Sequence, residues 1–188
     1  MQGHEPPAGR RRAMSETNPT SGWPELRQLW TDILHRRATA WPPGRALEHL
    51  VIRAFELDGA VVKRPFTVRL EGEPIEEIDG AVYSKGLCCL VECKDRREPL
   101  RVDALAKLRN QLLRRPAGTV GLMFSSSGYR ESAITLARFS GQQPMLLWYP
   151  PEITEMLEAE NPCALLLLKY RVCVEEGKPE YNHMVRIG

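Results

Sequence analysis

The feature that most limits the fold is the order in which the apolar period changes along the chain. In "RALEHLVIRAFELDG", Leu47, Leu50, Val51, Ala54 and Phe55 recur at helical spacing, and Asp58-Gly59 supplies a stop. Three strand-like runs follow: "AVVKRPFTVRL", "IDGAVYS" and "LCCLVECK". Pro65 bends the first run or sends it to an edge, and the acidic turn "EGEPIEE" divides it from the second. Next comes a helix, "VDALAKLRNQLLRR", with Val102, Leu105, Leu108 and Leu112 along one side. A buried strand "GTVGLMF", a loop "SSSGY", a helix "RESAITLARFS" and a last strand "PMLLWY" then alternate. After "PPEITEMLEAE", "PCALLLLKYRVCVEEG" reads as a closing helix. A meander followed by alternating helices and strands predicts a mixed central sheet with helices on both faces, an α/β three-layer sandwich.

Ahead of this core, Trp23, Leu26, Trp30, Ile33 and Leu34 predict an amphipathic helix within residues 22–40, with Pro24 in its first turn and "AWPPGR" as its stop. Residues 1–21 hold almost no large apolar side chain and predict a disordered tail. Its cluster Arg10-Arg11-Arg12 reads as solvated, and Met14 is an alternative start. The whole, 188 residues with 43% hydrophobic side chains, suits one domain and not two.

A net charge of +2 is too small for bulk charge to drive recognition, so any electrostatic role has to be local. One local excess stands out. Residues 94–115 carry eight basic side chains (Lys94, Arg96, Arg97, Arg101, Lys107, Arg109, Arg114, Arg115) against Asp95, Glu98 and Asp103. The five cysteines are odd in number, and Cys88, Cys89 and Cys93 crowd one apolar strand. No CxxC or Cys/His spacing accompanies them, which argues against a disulfide framework or structural zinc and for a reducing cytoplasm. The longest uncharged apolar run, "CALLLL", is too short for a membrane span.

The stretch "EIDGAVYSKGLCCLVECKD" puts charge inside an otherwise apolar hairpin. With the turn at Lys85-Gly86 and Ser84 paired with Leu87, Asp79 falls opposite Glu92, and Lys94 joins the face of Glu92. Ile78, Val82, Cys89, Val91 and Cys93 then take the other face. Facing carboxylates repel unless compensated, and a divalent cation held by hard oxygens does this. The same register also sets Lys94 opposite Glu77, so a plain cross-strand ion pair accounts for the lysine as well.

The pattern of Asp79, twelve residues, then Glu92-Cys93-Lys94, preceded by a helix bearing Glu48, resembles the PD-(D/E)xK nuclease superfamily, and more narrowly its Mrr-like restriction endonuclease branch. Ile78 stands where the signature proline is variable. The resemblance covers roughly residues 45–155 and implies a nuclease-like core over 41–160, with 161–188 as a C-terminal helix and tail packed on it. It implies that Asp79, Glu92 and the Cys93 carbonyl hold Mg²⁺ or Mn²⁺, with Glu48 approaching from the first core helix. Lys94 would orient the attacking water and offset charge growing on the phosphate. The implied activity is DNA cleavage in defence, in a cytoplasmic protein that makes no membrane contact and forms a homodimer where both strands are cut. A silent nucleic-acid-binding module, or a structure-selective repair or resolvase nuclease, shares the fold. Gln111 is a further candidate for the cleft, and Ser126 or Ser127 for phosphate contact or for capping the following helix.

Overall fold

Apart from residues 61–78 and 150–158, helical and extended segments fall in the expected order in the computed structural model, which describes residues 21–141 and 143–182. Of the expected disordered tail over 1–21, residues 1–20, with the arginine cluster and Met14, lie outside these residues, as do 183–188 of the expected C-terminal tail; Ser21 is described, and its carbonyl accepts a hydrogen bond from Arg53 at 2.8 Å. In chain order the elements are α1 (Trp23–Leu34), α2 (Arg45–Leu57), β1 (Val61–Lys63), β2 (Phe66–Leu70), β3 (Glu73–Ile78), β4 (Gly80–Ser84) and β5 (Leu87–Lys94). They continue with α3 (Val102–Leu112), β6 (Thr119–Ser125), α4 (Glu131–Arg138), β7 (Met145–Trp148), α5 (Pro150–Glu158) and α6 (Pro162–Glu176).

Five strands form the central sheet in the order β1-β4-β5-β6-β7. The β1/β4 and β4/β5 pairs are antiparallel, and β5/β6 and β6/β7 are parallel. Strand alternation sends Val82, Cys89, Val91, Cys93, Val120, Leu122, Phe124, Leu146 and Trp148 to one face, where they pack with α1, α2, α5 and α6. Ala81, Leu90, Met123, Met145 and Leu147 take the other face, against Leu105 and Leu108 of α3 and Ala133 and Ala137 of α4. Both faces are covered, so the parallel half of the sheet is apolar throughout; every residue of β6 and β7 is buried. The result is a mixed sheet covered by helices on both faces, the three-layer α/β sandwich that the sequence predicts.

The structure corrects the sequence reading in several places. Pro65 splits the first strand-like run into β1 and β2. The acidic stretch read as a turn is β3, which pairs with β2 in a separate two-stranded sheet. Its acids disguised it: Glu76 is buried there because Arg114 and Arg115 both pair with it. The single Glu76 charge offsets part of what those two arginines add to the basic surface, where Arg114 stays 53% exposed. Pro74, opposite Arg69, has no N–H to give, and the β2/β3 register shifts there. "PPEITEMLE" is helix α5, opened by prolines in its first turn. Leu34 and Val102, expected in apolar stripes, are exposed.

Candidate metal and phosphate site

The hairpin between β4 and β5 sets the site. Lys85 and Gly86 have φ of 51° and 82°, the two positive values that a two-residue turn of this twist requires. From Ser84↔Leu87 the pairing runs to Gly80↔Val91, which makes Asp79 and Glu92 the next rung. At Asp79 the chain leaves the central sheet for β3, and Ile78 turns into the α3 side of the core, away from its expected company of Val82 and Cys93. Gly80 permits this geometry. A Cβ there would lie 2.3 Å from Ile52 Cδ1 and 3.1 Å from the Lys63 carbonyl, so any other residue would have to displace the Ile52 side chain of α2. The close approach brings Glu48, in the first turn of α2, and Asp79 to one cleft.

Asp79 is buried, and its Oδ2 accepts the Cys93 N–H at 2.8 Å. Glu92 is fully buried; its Oε1 accepts hydrogen bonds from Lys94 Nζ and, at 3.0 Å, from Lys107 Nζ. Lys107 Nζ also lies 2.9 Å from Glu92 Oε2 and 3.9 Å from Asp79 Oδ1. The contact with Oε2 is one of charge alone, for that oxygen has no hydrogen-bond partner among the described residues. Burial, and then the charge of Glu92 with a contribution from Glu48, pushes the Asp79 carboxyl up to about 6, against the opposing pull of the Cys93 N–H and Lys107. Burial by itself lowers Lys107, but its hydrogen bond to Glu92 and the charges of Glu92, Asp79 and Glu48 outweigh this and hold the ammonium above its ordinary value. Burial likewise drives the Cys93 thiol well above its ordinary value, as befits a packing residue.

The remaining candidates divide. Lys94 pairs with Glu92, while Glu77 sits opposite Thr67 in the smaller sheet, so the alternative cross-strand pair of Lys94 with Glu77 is not formed. Glu48 Oε2 is held by Arg45 at 2.5 Å, at the edge of the carboxylate pair. Gln111 sends its amide to the Glu77 carbonyl at 3.0 Å and pins β3 instead of reaching the cleft. Ser126 and Ser127 do not cap α4, whose N-cap is Arg130. Their hydroxyls donate to Asp95 Oδ1 and the Glu98 carbonyl respectively, each at 2.6 Å, tying the loop after β6 to the one after β5.

Two concavities flank the carboxylates. One, of ≈ 630 Å³, is lined by Glu48, Asp79, Arg45 and Arg64 with the half-buried Trp41, whose ring lies 4.8 Å from that of His49. The other, of ≈ 500 Å³, is a groove walled by Lys94, Arg96, Arg97, Arg101 and Lys107 against Glu98 and Asp103. Asp95 takes no part in its charge balance, being paired with Arg36.

The sequence reading counts Lys107 only within the basic excess of residues 94–115 and not among the site residues. Its signal was present: Lys107 and Gln111 are four apart on α3, a polar pair running along the buried stripe of Leu105, Leu108 and Leu112.

Among the described residues, no group of three or more His, Cys, Asp and Glu side chains is disposed to hold a metal ion. The donor chemistry of the smaller set still suits a hard divalent cation: two adjacent carboxylates, one buried oxygen without a hydrogen bond, and a backbone carbonyl between Glu92 and Lys94.

No family model matches the chain. No curated protein matches it either. Solved structures with a similar fold include a protein of unknown function, AF1548, at 22% identity over 69% of this chain and 76% of that one, with a TM-score of 0.49. Protein VC1899 from Vibrio cholerae is 18% identical over 78% of this chain and 44% of that one, at 0.47. The MspJI restriction endonuclease, in complex with a 27-mer oligonucleotide, is 18% identical over 95% of this chain and 41% of that one, at 0.44. The chain thus spans less than half the length of the last two. No helix among the described residues is long and apolar enough to cross a membrane.

Proposed function

We propose that this chain is a metal-dependent nuclease that hydrolyses DNA phosphodiester bonds at Asp79, Glu92 and Lys94. The observation that carries this reading is the meeting of two buried carboxylates with Lys94, itself one of the five basic side chains that wall the adjoining groove. Arginine and lysine in such a groove neutralise a phosphate backbone without reading bases. Asp79, Glu92 and the Cys93 carbonyl would hold Mg²⁺, with Mn²⁺ as a substitute; when bound, the ion supplies positive charge against the phosphate and acidifies water. Lys94, 23% exposed and anchored on Glu92, presents its ammonium where charge grows on the phosphate oxygens. Glu48, steadied by Arg45 in the cleft that Asp79 also lines, would add negative charge for the ion from α2.

A second reading, a nucleic-acid-binding module without activity, draws on one observation: both Lys94 and Lys107 already pair with Glu92. Incubation of plasmid and of labelled oligonucleotides with Mg²⁺ or Mn²⁺, beside Asp79→Ala and Lys94→Ala, separates the two. Cleavage by the wild type, reduced roughly a hundredfold or more in each variant, is the expected result. DNA bound but left intact by all three proteins across the metals would favour the module instead. Junction, flap and methylated duplexes then distinguish a restriction enzyme from a repair enzyme.

A further inference from the structure

Lys107 belongs to both halves of the site. Its ammonium bridges the carboxylate pair, 2.9 and 3.0 Å from the two Glu92 oxygens and 3.9 Å from Asp79 Oδ1. Its stem forms part of the wall of the basic groove, and the side chain is 41% exposed. Lys94 differs: it reaches a single Glu92 oxygen from the neighbouring strand position and forms no ion pair with Asp79 among the described residues. A monovalent cation lodged between two hard-oxygen donors has the contacts that a divalent ion would need. It is also tethered to a flexible four-carbon stem that leads out along the groove.

We propose that Lys107 is a built-in counter-ion that competes with the divalent cation for Glu92 and Asp79, and so sets how much metal the site needs. This rests on the metal-site reading above. The physical reason is that two cations cannot share one pair of carboxylates at contact distance without mutual repulsion, which is large where water is scarce. Filling the site therefore requires the ammonium to withdraw, and the partly exposed stem allows withdrawal into the groove at small cost. Metal affinity is lowered by the free energy of breaking the lysine contacts.

The test is metal binding by the full chain without nucleic acid. Mn²⁺ titration is followed by calorimetry and by the loss of the free-ion paramagnetic signal. Lys107→Met keeps the stem and removes the charge, and Lys107→Gln keeps a polar end. Both should bind Mn²⁺ about tenfold or more tightly than the wild type. Lys107→Arg should stay near the wild-type value, and Arg101→Met, in the groove but away from the carboxylates, should leave it unchanged. Equal or weaker Mn²⁺ binding in Lys107→Met and Lys107→Gln would overturn the proposal while leaving the metal site intact. Absence of Mn²⁺ binding in the wild type and in every variant would overturn the metal site and this proposal together.

Discussion

Asp79 is a carboxyl whose ionisation the fold opposes. It is buried, faces Glu92, and accepts a hydrogen bond from the Cys93 N–H. Its folded-state value of about 6 stands above the 3.8 of a free carboxyl. The folded protein therefore binds this proton more tightly than the unfolded chain does. That contribution to stability is complete below pH 3.8 and is lost as the pH rises through 6, beyond which the ionised carboxylate is a burden on the fold. In metal-free buffer, Asp79→Asn should accordingly stabilise the protein by on the order of 2 kcal/mol at pH 7.5, and the gain should fade toward pH 4. Urea melts of both proteins at several pH values check this. A pH-independent difference would show that the burial of Asp79 has another compensation.

At the scale of elements, the contact between α2 and β4 decides whether the site assembles. Gly80 is the point of closest approach: a Cβ added there would meet Ile52 on the helix side and lie 3.1 Å from the Lys63 carbonyl of β1. Gly80→Ala should destabilise the fold by about 1–3 kcal/mol through overpacking, because a packed core transmits strain instead of absorbing it. Ile52→Val removes the Cδ1 atom responsible for the nearest clash. The double variant should thus recover part of the loss, as thermal melts would show. Additive losses in the double variant would mean that the two residues do not meet. The same contact carries Glu48 toward Asp79, so Gly80→Ala should also change Mn²⁺ affinity at the proposed site, read by calorimetry on the folded variant.

For the molecule as a whole, the helical layer formed by α1, α2, α5 and α6 is closed by a buried ion pair. Lys169 of α6 and Glu152 of α5 are 3% and 2% exposed and 2.7 Å apart. Lys169 also donates to the Tyr181 carbonyl and lies over the Trp148 ring at 5.5 Å. A charge this deep is tolerated only through its partner, so Lys169→Met should cost about 3 kcal/mol. Combining it with Glu152→Gln, which keeps an acceptor for the Tyr149 N–H, should restore at least half of that in denaturant melts. A double variant as unstable as the single one would place the role of Lys169 in its Tyr181 contact. The chain between α6 and residue 182 is bound to the sheet as well: Leu147 N–H of β7 donates to the Pro179 carbonyl at 2.9 Å.

Local patterns fixed a great deal. The helical stripes of α1, α2 and α3, the helical character of α4 and α6, the apolar strands β5 to β7, the turn at Lys85-Gly86 and the approach of Asp79 to Glu92 all follow from periodicity and turn chemistry, which act between neighbours in the chain. Other features needed partners distant in sequence. The strand character of Glu73–Ile78 depends on Arg114 and Arg115, some forty residues away, to accept Glu76 into the interior. The place of Lys107 beside Glu92 depends on how α3 crosses the sheet, and that of Glu48 on the missing Cβ of Gly80. A charge is legible from sequence when its compensation lies one strand or one turn away. When the compensating group arrives from another layer, only the packed structure decides which charges meet.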